Sequence, residues 1–263
     1  MPKAYEEIAD DLRQQIQAGT WRPGDRLPSE EELKQSYRKG GPTIRQALDV
    51  LLTEGLIDKQ HGRGTFVRVP RKVVRRTNER HQWEKDRARE SLTEREQTGA
   101  TEHDTGLTVH ELVFSAKFRE RDANEDLASA FDVPVGTRLL ERVYQTRYEK
   151  EPAPFNVSHS YLVREHIEKN PDLLDETKEP WPGGTQNQLL TVGIEIDRVI
   201  ERITAARPPT QEEAKALGMS PGMAVMELRK MCIDVTGRVV EVADVILPGD
   251  RTELTFVTPL ARW

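Results

Sequence analysis

Apolar residues recur at helical spacing three times in the first 55 residues, and from about residue 106 they alternate with polar ones instead. Tyr5, Ile8, Ala9, Leu12 and Ile16 predict a first helix, with Gly19 as its C-terminal stop. Pro23-Gly24 makes a turn, and Ser29-x-x-Glu32 is a capping box that opens a short second helix over about 30–37, Leu33 inward. Gly40 then serves as N-cap of a third helix with Pro42 in its first turn, where a missing N–H is no loss. Ile44, Ala47, Leu48, Leu51 and Leu52 give that helix one apolar face, and Thr43, Arg45, Gln46 and Asp49 occupy the other. Gly55 ends it, and LIDKQ and TFVRV read as two short strands joined by the basic turn HGRG. Three helices and a glycine-tipped hairpin describe a winged helix-turn-helix.

Residues 70–105 are polar, charge-dense and almost without apolar periodicity, which predicts an interdomain linker with one short helical piece around Trp83. The alternating segments that follow are ELVFSAKF, LLERVYQTRY, FNVSHSYL, EIDRVIERITAA, VMELRKMCIDV, VVEVADVIL and TELTFV. They read as amphipathic strands, with helical stretches at about 123–131, 163–170, 184–192 and 210–217. The fold class is therefore α+β, an N-terminal winged helix-turn-helix (1–69), a charged linker (70–105) and a C-terminal antiparallel-sheet domain (106–263). AFDVPVGTRLLE (130–141) aligns with ALGMSPGMAVME (216–227) at a constant offset of 86 residues, matching Gly136 to Gly222 and Glu141 to Glu227. Two similar halves predict a pseudo-twofold sheet with a crevice between them, a place for a small molecule.

Charge changes the picture of the N-terminal third. The net charge of −6 is unevenly spread: residues 1–76 carry 15 basic against 11 acidic residues, and residues 99–263 carry 19 against 28. Residues 59–76 hold Lys59, Arg63, Arg68, Arg71, Lys72, Arg75 and Arg76 and no acid, so this part suits a polyanion within an acidic chain. No stretch approaches the ~20 apolar residues that cross a bilayer, and the acidic, helix-patterned N-terminus has no signal-peptide core, so a cytoplasmic protein with no membrane partner is expected. Cys232 is the sole cysteine and lies in an apolar run, which predicts a buried small hydrophobe, with no disulfide and no cysteine-based metal site.

In sequence order, LPSEEEL, PTIRQAL, LLTEGLI and GRGTFV identify the chain as resembling the GntR family of bacterial transcription regulators. The resemblance implies binding of double-stranded DNA, with Arg45, Thr43, His61, Gly62 and Arg63 at the family's DNA-contacting positions and Gln46 on the same exposed face. The family usually has Ser-Arg where Gly40-Gly41 stands and Arg where Glu31 stands; Lys39, with Arg38, would supply the missing charge from shifted positions. Arg147-Tyr148, SYL (160–162) and RVVEVADVILPGDRTELTF also resemble the UTRA effector-binding domain of the HutC-type branch. That likeness implies a fold similar to chorismate lyase, a homodimer, and an unknown small-molecule effector bound between half-domains.

Four residues are candidates for that effector. Arg147 suits an anionic group, since a guanidinium gives bidentate recognition, although QTRYEKEPAP has one Arg where some relatives have R-x-R. Glu241 stands where the domain can accept an effector hydroxyl or amine, and Ser160 and Tyr161 lie in the matching SYL. His110 and His159 look like scattered strand histidines. No nucleophile elbow, H-E-x-x-H spacing or glycine-rich phosphate loop is present, so no catalytic residue, metal ligand or cofactor is expected. The reading is a repressor that binds an inverted repeat as a dimer and is released by its effector. The competing readings are a non-sensing architectural dimer and, more remotely, a lyase acting on a small anion.

Overall fold

In the computed structural model, residues 3–204, 206–219 and 222–261 are described, and the chain divides into two compact units. The first holds the residues up to Arg71 with short pieces of the 208–224 stretch, and the second holds most of the rest.

The N-terminal unit consists of α1 (Ala4–Gln17), α2 (Glu30–Tyr37), α3 (Gly41–Thr53), β1 (Ile57–Gln60) and β2 (Gly64–Val67). Ser29 Oγ accepts the Glu32 N–H and the Glu32 carboxylate accepts the Ser29 N–H, the reciprocal cap that starts α2. Arg38 ends that helix in the left-handed region (φ 53°), turning the chain so that Gly40 caps α3 two residues later. Ile44, Ala47, Leu48 and Leu51 of α3 are fully buried against Ile8, Ala9 and Leu12 of α1, Leu33 of α2 and Ile57 and Val67 of the hairpin. Each such side chain removed from water is worth roughly 1.5–3 kcal/mol, which is what fixes α3 by its apolar face and leaves the polar face outward.

The C-terminal unit adds β3 (Val74–Thr77), α4 (Arg80–Arg87), α5 (Leu92–Gln97), α6 (Ala100–Thr105), β4 (Leu112–Asp122), α7 (Glu125–Phe131), β5 (Arg138–Tyr148) and β6 (Val157–Val163). After these come α8 (Arg164–Ile167), α9 (Gly184–Leu190), β7 (Ile196–Ile203), β8 (Val225–Asp234), β9 (Val239–Pro248) and β10 (Thr252–Thr255), while α10 (Gln211–Ala216), which lies between β7 and β8 in the chain, falls with the N-terminal unit except for its last residue. Six strands make one antiparallel sheet in the order β4-β5-β6-β9-β8-β7. The 86-residue repeat is visible in this order, since β5-β6 and β9-β8 are equivalent hairpins meeting at the β6–β9 pairing. Gly136 and Gly222, equivalent in the repeat, share left-handed φ values of 87° and 83° in the turns before β5 and β8. The halves join into one continuous sheet, so no crevice parts them; the available space lies on one face, over their junction.

Alternation assigns the two faces. Leu139, Tyr161, Val163, Met231 and Val242 pack under Leu127, Ala128 and Phe131 of α7. Leu140, Leu162, Cys232 and Val240 point the other way, with Ile167 of α8 and Leu189 of α9.

The expected linker is folded. Within 70–105, β3 pairs in parallel with β10, Val74 opposite Thr252, and α4, α5 and α6 follow as ordered helices. The helical piece expected around Trp83 is α4; α5, α6 and the burial of the segment escape hydrophobic periodicity because α4 buries Arg80 and Arg87 and α6 buries Asp104 and Thr105, charged or polar side chains held by partners rather than by apolar packing.

Candidate DNA-binding face and ligand cavity

In the N-terminal unit the first two turns of α3 present Thr43, Arg45 and Gln46, with Arg45 and Gln46 exposed and Thr43 half-buried. Arg38 and Lys39 lie exposed in the preceding turn, and His61, Gly62 and Arg63 are exposed at the hairpin tip. The tip closes by Arg63 N–H donating to Gln60 O at 2.9 Å, with Gly62 at φ 71° and Gly64 at φ 121°. Helix N-termini favour anions, and the exposed residues at the start of α3 and at the hairpin tip are basic or uncharged. Arg45 is not idle: its Nε donates to Glu30 Oε2 at 3.1 Å, with its side chain still 63% exposed. Glu31 engages Lys34 Nζ at 2.6 Å, so it stands in α2 as one half of an ion pair.

The C-terminal unit holds a cavity of about 800 Å³, within the size range of small-molecule sites. Its floor is the sheet face carrying Ser160, Lys230, Glu241, Ala243 and Val245, and its cover is α4 to α6 with the start of α9. On the same sheet face, Arg142 is fully buried between Ser160 and α9. Its Nη1 donates to Gln188 Oε1 at 2.7 Å and its Nη2 to Ser160 Oγ at 2.8 Å and Glu241 Oε1 at 3.2 Å. Glu241 Oε1 also accepts from Ser160 Oγ at 2.6 Å, while Oε2 takes Lys230 Nζ at 2.9 Å and Cys232 Sγ at 3.3 Å. Burial works against the Glu241 charge, but Lys230 and Arg142 outweigh it and hold the carboxyl down at about 2. Lys230 is correspondingly held above the ordinary lysine range: burial opposes its charge, and the attraction of Glu241 overcomes it.

On the cover, Arg80 bonds Asp104 and reaches Glu84 at 3.4 Å. His81 sits between Glu201, 3.2 Å from Nε2, and Glu84, 3.5 Å from Nδ1, and Arg76 meets Glu201 at 3.2 Å. Burial lowers the His81 pKa, and the neighbouring carboxylates of Glu201 and Glu84 raise it by more, so the net shift is upward. α9 is tied to the cover by Gln186 Nε2 donating to His81 O at 3.0 Å and Asn187 Nδ2 to Ala88 O at 2.8 Å. At the rim, Glu179 accepts from Tyr144 Oη at 2.7 Å and Gln188 Nε2 at 2.9 Å.

Of the four effector candidates, Ser160 and Glu241 come together in this cavity and Arg147 and Tyr161 do not. Arg147 Nη1 donates to the Glu149 carbonyl at 3.1 Å, closing the turn after β5. Tyr161 faces α7, as its place next to Ser160 on a strand requires. His159 also lies on that face, its Nδ1 2.9 Å from the buried Glu141. Sequence reasoning missed Arg142, Lys230 and the whole α4 contribution. Strand parity held the signal for the first, because Arg142 is directly opposite Ser160 in the β5–β6 register. For α4 the signal was Arg80, Glu84 and Arg87 at i, i+4 and i+7, one charged helix face.

Comparison with known proteins gives these two units their family. Residues 4–67 match the bacterial regulatory proteins of the gntR family, and residues 115–253 match the UTRA domain. An HTH-type transcriptional regulator of Streptomyces coelicolor is 30% identical over 258 residues, spanning 95% of this chain and 91% of the relative. A histidine utilization repressor of Klebsiella aerogenes is 26% identical over 254 residues, 95% of this chain and 92% of the relative. The crystal structure of a GntR-family transcriptional regulator shares the fold with a TM-score of 0.61 at 24% identity, covering 98% of each chain. That of PhnF from Mycobacterium smegmatis does so with a TM-score of 0.52 at 21% identity, over 98% of this chain and 100% of the other. The chain therefore belongs to the GntR family of bacterial transcription regulators, in the HutC-type branch that carries a C-terminal UTRA domain, and is a DNA-binding regulator.

Proposed function

We propose that this regulator is a cytoplasmic repressor that binds an inverted-repeat operator as a homodimer and lets go when a small molecule occupies the cavity of its C-terminal unit. The observation that carries the DNA part is the exposed start of α3, with Arg45, Gln46 and Thr43 free of the core and a basic, glycine-tipped hairpin in the same unit. A recognition helix reads base edges in the major groove from its N-terminal residues, and a wing of this kind suits the backbone or minor groove. Lys39, His61, Gly62 and Arg63 fit backbone contacts, which fix register without reading sequence. On binding, Arg45 exchanges Glu30 for a guanine edge. An exposed ion pair of this kind is worth only about 0–1 kcal/mol, so the exchange is cheap.

For the second unit, a cavity of about 800 Å³ floored by a saturated ionic network supports binding of a ligand rather than turnover. Glu241 spends both oxygens on protein donors, which leaves it no lone pair to work as a base. The non-sensing alternative has no observation in its favour that matches this cavity. In the chain, six residues separate the end of β2 from the start of β3, and the cover of the cavity follows directly. A ligand that resets α4 thus acts on the first elements after the DNA-binding unit.

Affinity selection of random duplexes on the full-length protein, followed by sequencing, tests the DNA reading. Enrichment of an inverted repeat whose half-sites are spaced by about one helical turn or a multiple supports it. Retention with no enriched motif rejects it in favour of non-specific binding through the basic surface.

A further inference from the structure

Around Lys230 and Arg80 the carboxylates of the cavity are engaged by protein donors, and donors are left over. Glu241 takes Arg142, Ser160, Thr185, Lys230 and Cys232, and Glu179 takes Tyr144, Gln188 and the Trp181 N–H. Glu84 is shared by Arg80 and His81, and Asp104 by Arg80 and His103. On the donor side, the Nε–H groups of Arg80 and Arg87 are buried and meet no acceptor among the described residues, although each residue is more than nine-tenths buried and lines the cavity. Lys230 also lines it, with Glu241 as the partner of its ammonium, so two of its three N–H bonds remain to be filled. An unpaired buried donor costs free energy, and a ligand acceptor is what relieves it.

We propose that the cavity takes a small organic monoanion whose carboxylate is gripped between Lys230 on the floor and Arg80 on the cover. Its apolar body then rests on Phe114, Tyr144 and Phe155. This rests on the reading of the cavity as the effector site and names the chemistry of the effector. Three alternatives fail on the same residues. An amine would need a free carboxylate beside Lys230 and Arg80, and Glu84, Asp104 and Glu241 there are already bonded to protein donors. A polyol donates as well as accepts, and its hydroxyls would find few acceptors and an apolar wall. A phosphomonoester carries close to two charges into a space bordered by Glu84, Asp104 and Glu241, where a second negative charge is unfavourable. A single carboxylate matches the unspent donors, because a guanidinium N–H and an ammonium both form charge-assisted bonds to it. The aromatic wall is real surface, with Phe114 and Tyr144 tilted against each other at 5.7 Å between ring centroids.

The grip would also join the two layers. Lys230 belongs to β8 of the sheet, and Arg80 opens α4 in the segment that leads on from the DNA-binding unit. Without the anion, Glu84 is bonded to Arg80 and lines the same cavity as Lys230. With it, one carboxylate is held by cations from floor and cover together.

Calorimetry on the full-length protein tests this with a panel of aromatic and aliphatic monocarboxylates, each paired with its amide and its amine, together with glucose and glucose 6-phosphate. The expected result is a monocarboxylate that binds about tenfold or more tightly than its own amide. Lys230→Gln and Arg80→Gln should each lose that preference, and Lys230→Arg should keep it. Melting curves identify a variant that has failed to fold, in which case the acid-against-amide comparison on the unaltered protein decides. Preference for an amine, glucose or glucose 6-phosphate, or equal binding of acid and amide, overturns the anion assignment and leaves a sensing cavity intact. No binding by any member of the panel overturns both.

Discussion

Arg142 Nη2 donates to Glu241 Oε1 at 3.2 Å, and neither residue is more than 1% exposed. The pair joins β5 to β9 across β6, with Ser160 Oγ bonded to both partners in the strand between them. It is therefore the polar keystone of the junction between the two halves of the sheet. Removing one partner leaves an uncompensated buried charge, which costs roughly 3–5 kcal/mol. Arg142→Met and Glu241→Gln should each lower stability by about that much in urea titrations of the full-length protein. A loss below about 1 kcal/mol would mean that water already compensates these charges.

Arg45 and Glu30 make the corresponding pair on the DNA-binding face, and they should respond in opposite directions. Arg45→Ala should weaken the preferred operator by ~1–3 kcal/mol and relax selectivity at one base pair. Glu30→Gln removes both the competing partner and a negative charge near the phosphates, and should tighten binding by ~0.2–1 kcal/mol. Fluorescence anisotropy on one operator duplex reads both. If Glu30→Gln weakened binding, the carboxylate would be a positioning group for Arg45 rather than its competitor.

Lys39 and Arg63, as backbone contacts, should behave differently from Arg45. Each, changed to Ala, should weaken all duplexes alike and reduce the slope of log affinity against log salt by about 1. A change confined to the preferred sequence would instead make that residue a reader of bases.

His81 gives the cover of the cavity a pH dependence. Its pKa in the folded chain is raised above the ordinary 6.5, because the neighbouring carboxylates of Glu201 and Glu84 exceed the opposing effect of burial. A group raised on folding stabilises fully below its unfolded pKa and loses that contribution as pH climbs through the folded value. The melting temperature of the protein should therefore exceed that of His81→Gln most below the ordinary imidazole value of about 6.5, and the gap should narrow as pH rises above it. A gap that widened with pH would show that the imidazole is held neutral.

The two units differed in how far the sequence disclosed them. Helices α1 to α3 were legible because Ile8, Leu12, Ile44, Leu48 and Leu51 are apolar at helical spacing and Ser29, Glu32 and Gly40 mark the boundaries. The sheet strands were legible by alternation, and the 86-residue repeat foretold the equivalence of β5-β6 and β8-β9. The cavity was only half legible. Glu241 and Ser160 are legible, but pairing Tyr161 with its neighbour runs against strand parity, and Arg142, which lies opposite Ser160, goes unnamed beside Arg147. The cover was missed for a physical reason: α4 is held down by Arg80, His81, Glu84 and Arg87, so its buried face reads as a solvated one.

The most direct test of the account is the affinity of the full-length protein for its selected operator, measured with and without a saturating cavity ligand. Coupling between two such sites is typically ~1–3 kcal/mol, so the ligand should weaken operator binding ~5–150-fold, and the operator should weaken ligand binding by the same factor. Operator affinity unchanged by a ligand that demonstrably fills the cavity would contradict the account, leaving a DNA-binding protein whose second unit does not regulate it.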